Sequence, residues 1–253
     1  MNLVGSLTDL LFELSSEERI DILEKIREKP MKLSHLAKRL KITVAEASRH
    51  LQRLSENGLI QKDSDELYEL TPYGSLVLAL VPGLDFISQN RTYFMEHDVF
   101  VLPKEFIDRI SVLSKSAFLG DTISNFAYEE GMFREAEEFC WALADQVHWS
   151  APPIISEKLK AGVEFRSILP ENIVPPVGYH PAEGVERRLL PRVDVIVIVT
   201  DKEAVFGLPY LNGKMDYSWF KSNEGNFLKW CQDIHAYYWK RAKPLVGPFP
   251  NLR

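Results

Sequence analysis

Between Ile42 and Ile60 the chain reads ITVAEASRHLQRLSENGLI, and no other stretch restricts its fold so tightly. Thr43 and Glu46 form T-x-x-E, in which a hydroxyl accepts from the third helical amide and the carboxylate reaches back to the cap amide. A helix should therefore start at Val44. Ala47, Leu51 and Leu54 recur at helical spacing as its apolar side, and Gly58 can take the left-handed conformation that closes a helix. The period then shortens to that of a strand. LIQKD and ELYEL flank Ser64-Asp65, which predicts two short strands joined as a hairpin.

The upstream residues complete the pattern. Leu7, Leu10, Leu11 and Leu14 repeat at three and four; Ser16 can cap a second helix burying Ile20, Leu23 and Ile26, and Pro30 follows its end. Leu36, Ala37 and Leu40 mark a short third helix over residues 33–40, with Ala37 small where another helix would cross. Thr71-Pro72 restarts a helix beyond the hairpin. Helix, helix, helix, turn, helix, hairpin, helix is the order of a winged helix-turn-helix, an α+β unit predicted over residues 1–72.

Charge suggests what such a unit would meet. The whole chain carries a net −6, yet residues 25–53 hold nine Lys or Arg and only two acids, Glu28 and Glu46. A local basic stripe in an acidic chain is the footprint of phosphate contacts. On the wet side of the quoted helix stand Thr43, Val44, Ala45, Glu46, Ser48, Arg49 and Gln52, the positions expected to face base edges of double-stranded DNA. Lys32, Lys38, Arg39, Lys41 and Arg53 are the expected phosphate contacts. Asp63, Asp65 and Glu66 at the hairpin tip oppose a contribution from the wing. The alternative is a protein-interaction or scaffold module that uses a winged helix without binding DNA.

The segment LSHLAKRLKITVAEASRHLQRLSENGLIQKDSDELYELTPYG resembles the winged-helix core of ArsR/MarR-type prokaryotic regulators. L-A-K-R-L, S-R-H-L-x-x-L, N-G-L-I and L-T-P-Y-G carry the likeness, and Lys41 departs from it where such turns often hold glycine. The resemblance implies transcription regulation.

Residues 73–96 read as a helical linker, interrupted at VPGL, whose Leu76, Val77 and Leu80 predict a homodimer seam. Residues 97–253 read as an α/β domain with a mixed sheet. Its predicted helices are residues 104–113, a long one within SNFAYEEGMFREAEEFCWALAD, PIISEKLKAG and NFLKWCQDIHAYYWKRAKP; its predicted strands are QVHWSA, VEFRSILP and the Val195–Val199 run, which returns through Val205-Phe206. Five consecutive branched residues imply a strand buried on both faces. The stretch from ERRLLPRVDVIVIVT to YYWKRAKP, extending upstream to EHDVFVLPKEF, resembles the C-terminal domain of FilR-type methanogenesis-regulatory proteins of archaea. A more distant similarity to sugar-sensing archaeal regulators implies a phospholipase-D-like sheet.

No catalytic constellation is found. Neither His148 nor His180 has lysine two residues on, as a phospholipase-D-type His-x-Lys requires, and there is no GxSxG, HExxH or phosphate loop. Cys140 and Cys231 form no ligand spacing and are expected on apolar helix faces, so no metal or cofactor is expected. No apolar run is long enough to span a bilayer and MNLVGSLTDLLFELSSEERI is unlike a signal peptide, so a cytoplasmic protein without membrane contact is expected. The second domain is then a binding domain. His148, Trp149, Arg166, Arg188 and Tyr210, at predicted strand ends, are expected to converge on a small anionic or polyol effector.

Overall fold

The computed structural model describes residues 6–251; residues 1–5 and 252–253, which begin the first predicted domain and end the second, lie outside it. The chain divides into two compact units, Met1–Leu84 and Asp85–Arg253.

The first unit contains α1 (Leu7–Leu14), α2 (Glu17–Glu28), α3 (Leu33–Leu40), α4 (Val44–Glu56), β1 (Ile60–Lys62), β2 (Tyr68–Leu70) and the start of α5 (Pro72–Gln89). This is a helical unit resembling a winged helix. The cap of α4 forms as its sequence dictates: the Thr43 hydroxyl accepts from the Glu46 amide, and the Glu46 carboxylate accepts from the Thr43 amide at 2.9 Å. Lys41 ends α3 at φ +58°. A non-glycine residue there costs on the order of 1 kcal/mol. Strands β1 and β2 pair antiparallel, Ile60 opposite Leu70. Ile22, Leu23, Leu36, Leu51, Leu54, Leu59 and Leu78 close the core. The entry to α5 lies on this core so tightly that a Cβ on Gly74 would sit 1.9 Å from the Leu59 carbonyl oxygen. Contrary to the expected interruption at VPGL, α5 continues through Pro82. Proline removes one helical amide, and the helix tolerates that loss here.

The second unit is a mixed sheet covered by helices. Its elements are α6 (Arg91–Glu96), α7 (Lys104–Ile107), β3 (Ala117–Leu119), α8 (Thr122–Glu135), β4 (Phe139–Leu143), α9 (Pro152–Lys160), β5 (Glu164–Pro170), β6 (Glu186–Leu190), β7 (Ile196–Thr200), β8 (Ala204–Gly207), β9 (Trp219–Ser222), α10 (Gly225–Trp239) and β10 (Lys243–Pro244). The strand order is β10-β6-β5-β4-β7-β8-β9-β3. Strands β4, β5 and β6 are parallel neighbours, and every other pairing is antiparallel. Each residue of β7 is buried, as its branched run requires. One sheet face, through Val197, Val199 and Phe206, packs on Phe227, Trp230 and Ile234 of α10. The other, through Phe165, Ile196, Ile198 and Val205, packs on Met132 and Phe133 of α8 and Ile154 of α9.

Three expectations are corrected. The long helix over SNFAYEEGMFREAEEFCWALAD stops at Glu135, and FCWAL is strand β4, so Cys140 lies on a strand and not on a helix. Phe139, Trp141 and Leu143 point to the α10 face and Cys140 to the other, a period of two that an aromatic-rich helix pattern concealed. QVHWSA is consequently the loop after β4 rather than a strand. Residues 104–113 form only the single turn α7 and a following 3-10 segment, Ile110–Lys115.

Candidate nucleic-acid interface and sheet cleft

Helix α4 buries Ala47, Leu51 and Leu54 and leaves its opposite side in solvent. Val44 is 54% exposed, and Ala45, Ser48, Arg49 and Gln52 are also exposed. Thr43 and Glu46 occupy each other through the cap, and Gln52 donates to Glu56 at 2.8 Å. Ser48 and Arg49 are bound by no described residue, so their donors are available to a ligand.

The basic stripe divides into held and unheld cations. Lys32, Lys38 and Lys41 are exposed and pair with no described carboxylate. Arg39 donates to Glu28 at 2.9 Å, an exposed pair that a phosphate could displace. Arg53 is held more firmly. Its guanidinium donates to both oxygens of Glu13, at 3.2 and 2.5 Å, and lies over the Phe12 ring. Glu13 is buried at 3% exposure and also faces Arg19 at 3.1 Å. The Arg53 guanidinium and its hydrogen bonds hold the Glu13 carboxyl below the ordinary range. Arg53 thus ties α4 to α1, and the buried charge of Glu13 requires it there. The sequence hid this partner: Glu13 sits in an apolar leucine repeat, forty residues away from Arg53.

On α5, Tyr73, Leu76, Leu80 and Leu84 form an apolar row at spacings of three and four, with exposures of 48, 62, 62 and 60%. Val77, expected in the same row, is instead buried in the core of its own unit. It is one residue off the exposed face, which a helix turns inward by roughly 100°.

The five expected effector residues do not converge. His148 borders a cleft on the α8–α9 face of the sheet, which Arg166 touches without its guanidinium entering. Trp149, 72% exposed, lines a separate open depression with His180 and Pro181. Tyr210 borders a third, beside His97 and Asp216. Arg188 points to the α10 face, where its guanidinium lies over Trp239 at 4.4 Å and donates to the Trp239 carbonyl. The guanidinium of Arg166 stacks between Trp141 and Trp239 on that face. The reason is the missed strand β6. Alternation along it sends Arg187 and Arg188 to opposite faces.

Among the described residues, no group of three or more His, Cys, Asp or Glu is placed to hold a metal ion, and no helix is long and apolar enough to cross a membrane. Burial pushes the Cys140 and Cys231 thiols up.

Residues 7–87 match the family model described as the HVO_A0261 N-terminal domain, less than half of the chain. No curated protein matches. Among solved structures, TrmBL2, described as an archaeal chromatin protein with a novel mode of DNA binding, aligns over 85% of this chain and 88% of its own, with 13% identity and a TM-score of 0.43. The homodimeric winged helix-turn-helix DNA-binding domain Mb0332 from Mycobacterium bovis, described as a possible ArsR-family regulator, aligns over 33% of this chain and 79% of its own, with 18% identity and a TM-score of 0.29. At these scores neither likeness says more about what this chain does, and the match over residues 7–87 places its N-terminal unit beside a known domain family.

Proposed function

We propose that this chain is a DNA-binding transcription regulator: a cytoplasmic homodimer whose α4 enters the major groove and whose C-terminal unit, of FilR type with a phospholipase-D-like sheet, binds a small effector. The observation that carries the reading is the first half of α4. Its inner side is fixed in a core and its cap is closed, while Ser48 and Arg49 project unpaired into solvent. A helix entering a groove meets base edges with its N-terminal part. Arg49 can donate two hydrogen bonds to one guanine. Lys32, Lys38 and Lys41, with Arg39 once released from Glu28, then neutralise phosphates on either side.

The exposed row on α5 supports the dimer, since an apolar helix face of this kind is stabilised by covering it with a second copy. Two copies would read half-sites about one helical turn apart. No catalytic step is assigned to the chain. Selection of bound fragments from random duplex DNA by the full-length protein tests the reading. A palindromic motif, bound with an affinity that falls steeply with salt, is expected; recovery of fragments without any shared motif would contradict it.

A further inference from the structure

The α8–α9 face of the sheet holds a cleft onto which a buried carboxyl and a half-buried guanidinium project, neither paired with an opposite charge among the described residues. Ala142, Ser167 and Arg187 lie in one row across β4, β5 and β6, each opposite the next in register and all on this face. Adjacent strands are about 4.8 Å apart, so the row spans roughly 10 Å. Glu129 projects from α8 onto the same cleft, and Gln146 and His148 follow the C-terminal end of β4. The cleft is narrow, with about 60 Å³ of accessible space and Phe133, Ile155, Phe165 and Val185 as apolar walls.

Two of these groups are anomalous as structural elements. Glu129 is 8% exposed, and no described residue donates a hydrogen bond to it. His148 Nε2 is 4.0 Å away and already donates to the Phe126 carbonyl at 3.0 Å. Arg187 is half-buried, faces no described carboxylate, and spends only one bond, from Nη2 to the Ala182 carbonyl at 2.9 Å. A buried carboxyl and a half-buried guanidinium that do not pair with each other are both costly. A ligand that meets both removes the cost of each.

We propose that this cleft binds a small hydroxy or oxo carboxylic acid, its carboxylate on Arg187 and its hydroxyl or carbonyl oxygens facing Glu129. The guanidinium fork matches a carboxylate in geometry as well as charge. Burial raises the Glu129 carboxyl to about 8, so at neutral pH it is a neutral acid that can both donate to and accept from the ligand's oxygens. A second full negative charge at that end is not needed, and a ligand ammonium would instead demand an ionised Glu129. The site refines the effector-binding part of the proposed function and rests on that part for its regulatory meaning, though not for binding itself.

Calorimetric titration of the full-length protein with malate, gluconate, sorbitol and inorganic phosphate tests it, with DNA affinity measured on the same preparation. Binding of malate or gluconate is expected, with none by sorbitol. Arg187→Gln should weaken that binding at least about tenfold. Arg187→Lys keeps a cation near the Phe249 ring, over which the guanidinium lies at 5.6 Å, but loses the fork, and should weaken it less, which guards against a glutamine variant that fails to fold. If neither acid binds, if phosphate alone binds, or if binding survives both variants, the site is refuted. An acid that binds to a protein without sequence-specific DNA affinity would leave the cleft standing and sink the regulator; specific DNA binding with an inert cleft would do the reverse.

Discussion

Each unit of the molecule buries one glutamate deeply, and the two are solved in opposite ways. Glu13, in the N-terminal unit, faces Arg19 and accepts two bonds from Arg53, and those cations keep it ionised. Glu129, in the C-terminal unit, has no such partner, and burial keeps it protonated, with its pKa raised to about 8. A charge that is met by its own fold is a structural tie, whose removal should loosen the fold. A carboxyl left unmet beside an open cleft weakens the fold, and that cost is retained where something else is bound. The comparison divides the arginines in the same way. Arg53 and Arg188 are bound to the protein, whereas Arg49 is exposed and Arg187, half-buried with one bond to a carbonyl, keeps donors to spare.

The largest effect should come from breaking the tie. Glu13→Ala leaves Arg19 buried and Arg53 without their carboxylate, and we expect a loss of about 3–5 kcal/mol in chemical denaturation. A change below 1 kcal/mol, on the scale of an exposed pair, would show that Glu13 is not a buried anchor. Gly74→Ala should follow at several kcal/mol, because its methyl would overlap the Leu59 carbonyl and the backbone must move. Unchanged stability there would mean that the seat of α5 is looser than described.

The two glutamates should also give opposite pH dependences. Glu13 has a folded pKa below its unfolded value of about 4.5, so its contribution is present at neutral pH and is lost as pH falls through the folded pKa. Glu129 has its folded pKa raised, so the unfolded chain releases a proton that the folded chain keeps. Stability should therefore decline between about 4.5 and 8 and level off above. Glu129→Gln is expected to flatten that decline by a few kcal/mol across the window while leaving the acid limb unchanged. An identical slope in the variant would place the titration elsewhere.

On the outer surface the effects are smaller and concern binding. Glu substituted for Leu80 in the α5 row should shift sedimentation from dimer to monomer at micromolar protein with little loss of fold, since Leu80 is 62% exposed. A wild-type monomer would remove the dimer. Replacing Lys38 should reduce the slope of log affinity against log salt by about one unit, whereas Arg53→Ala should act on stability more than on that slope.

The N-terminal unit was legible because its signals are local: a capping box, a helical apolar repeat, a glycine stop and a change of period all lie within a few residues of what they specify. The C-terminal sheet was only partly so. The five-residue branched run announced β7, but β4 lay inside what reads as one long helix, and β6 has no apolar alternation because Arg187 and Arg188 occupy it. With β6 unrecognised, the sequence offers Arg187 and Arg188 alike as ligand candidates and gives no basis for choosing between them, and the choice falls on Arg188, which faces α10. Glu129 carried no signal, since its isolation depends on α8 packing against strands distant in sequence. The pairing of Arg53 with Glu13 is hidden for the same reason. Cation density is visible in sequence, but a tertiary counter-ion such as Glu13 is not.

The claim that α4 reads DNA with its first half is tested most directly by measuring, on the duplex selected by the wild-type protein and on variants changed at each base pair, the affinities of wild type and Arg49→Ala. A loss of about 1–3 kcal/mol is expected for Arg49→Ala, confined to one guanine-containing position in each half-site, with discrimination at that position abolished and retained elsewhere. Equal affinities and an unchanged base preference for the two proteins would contradict it.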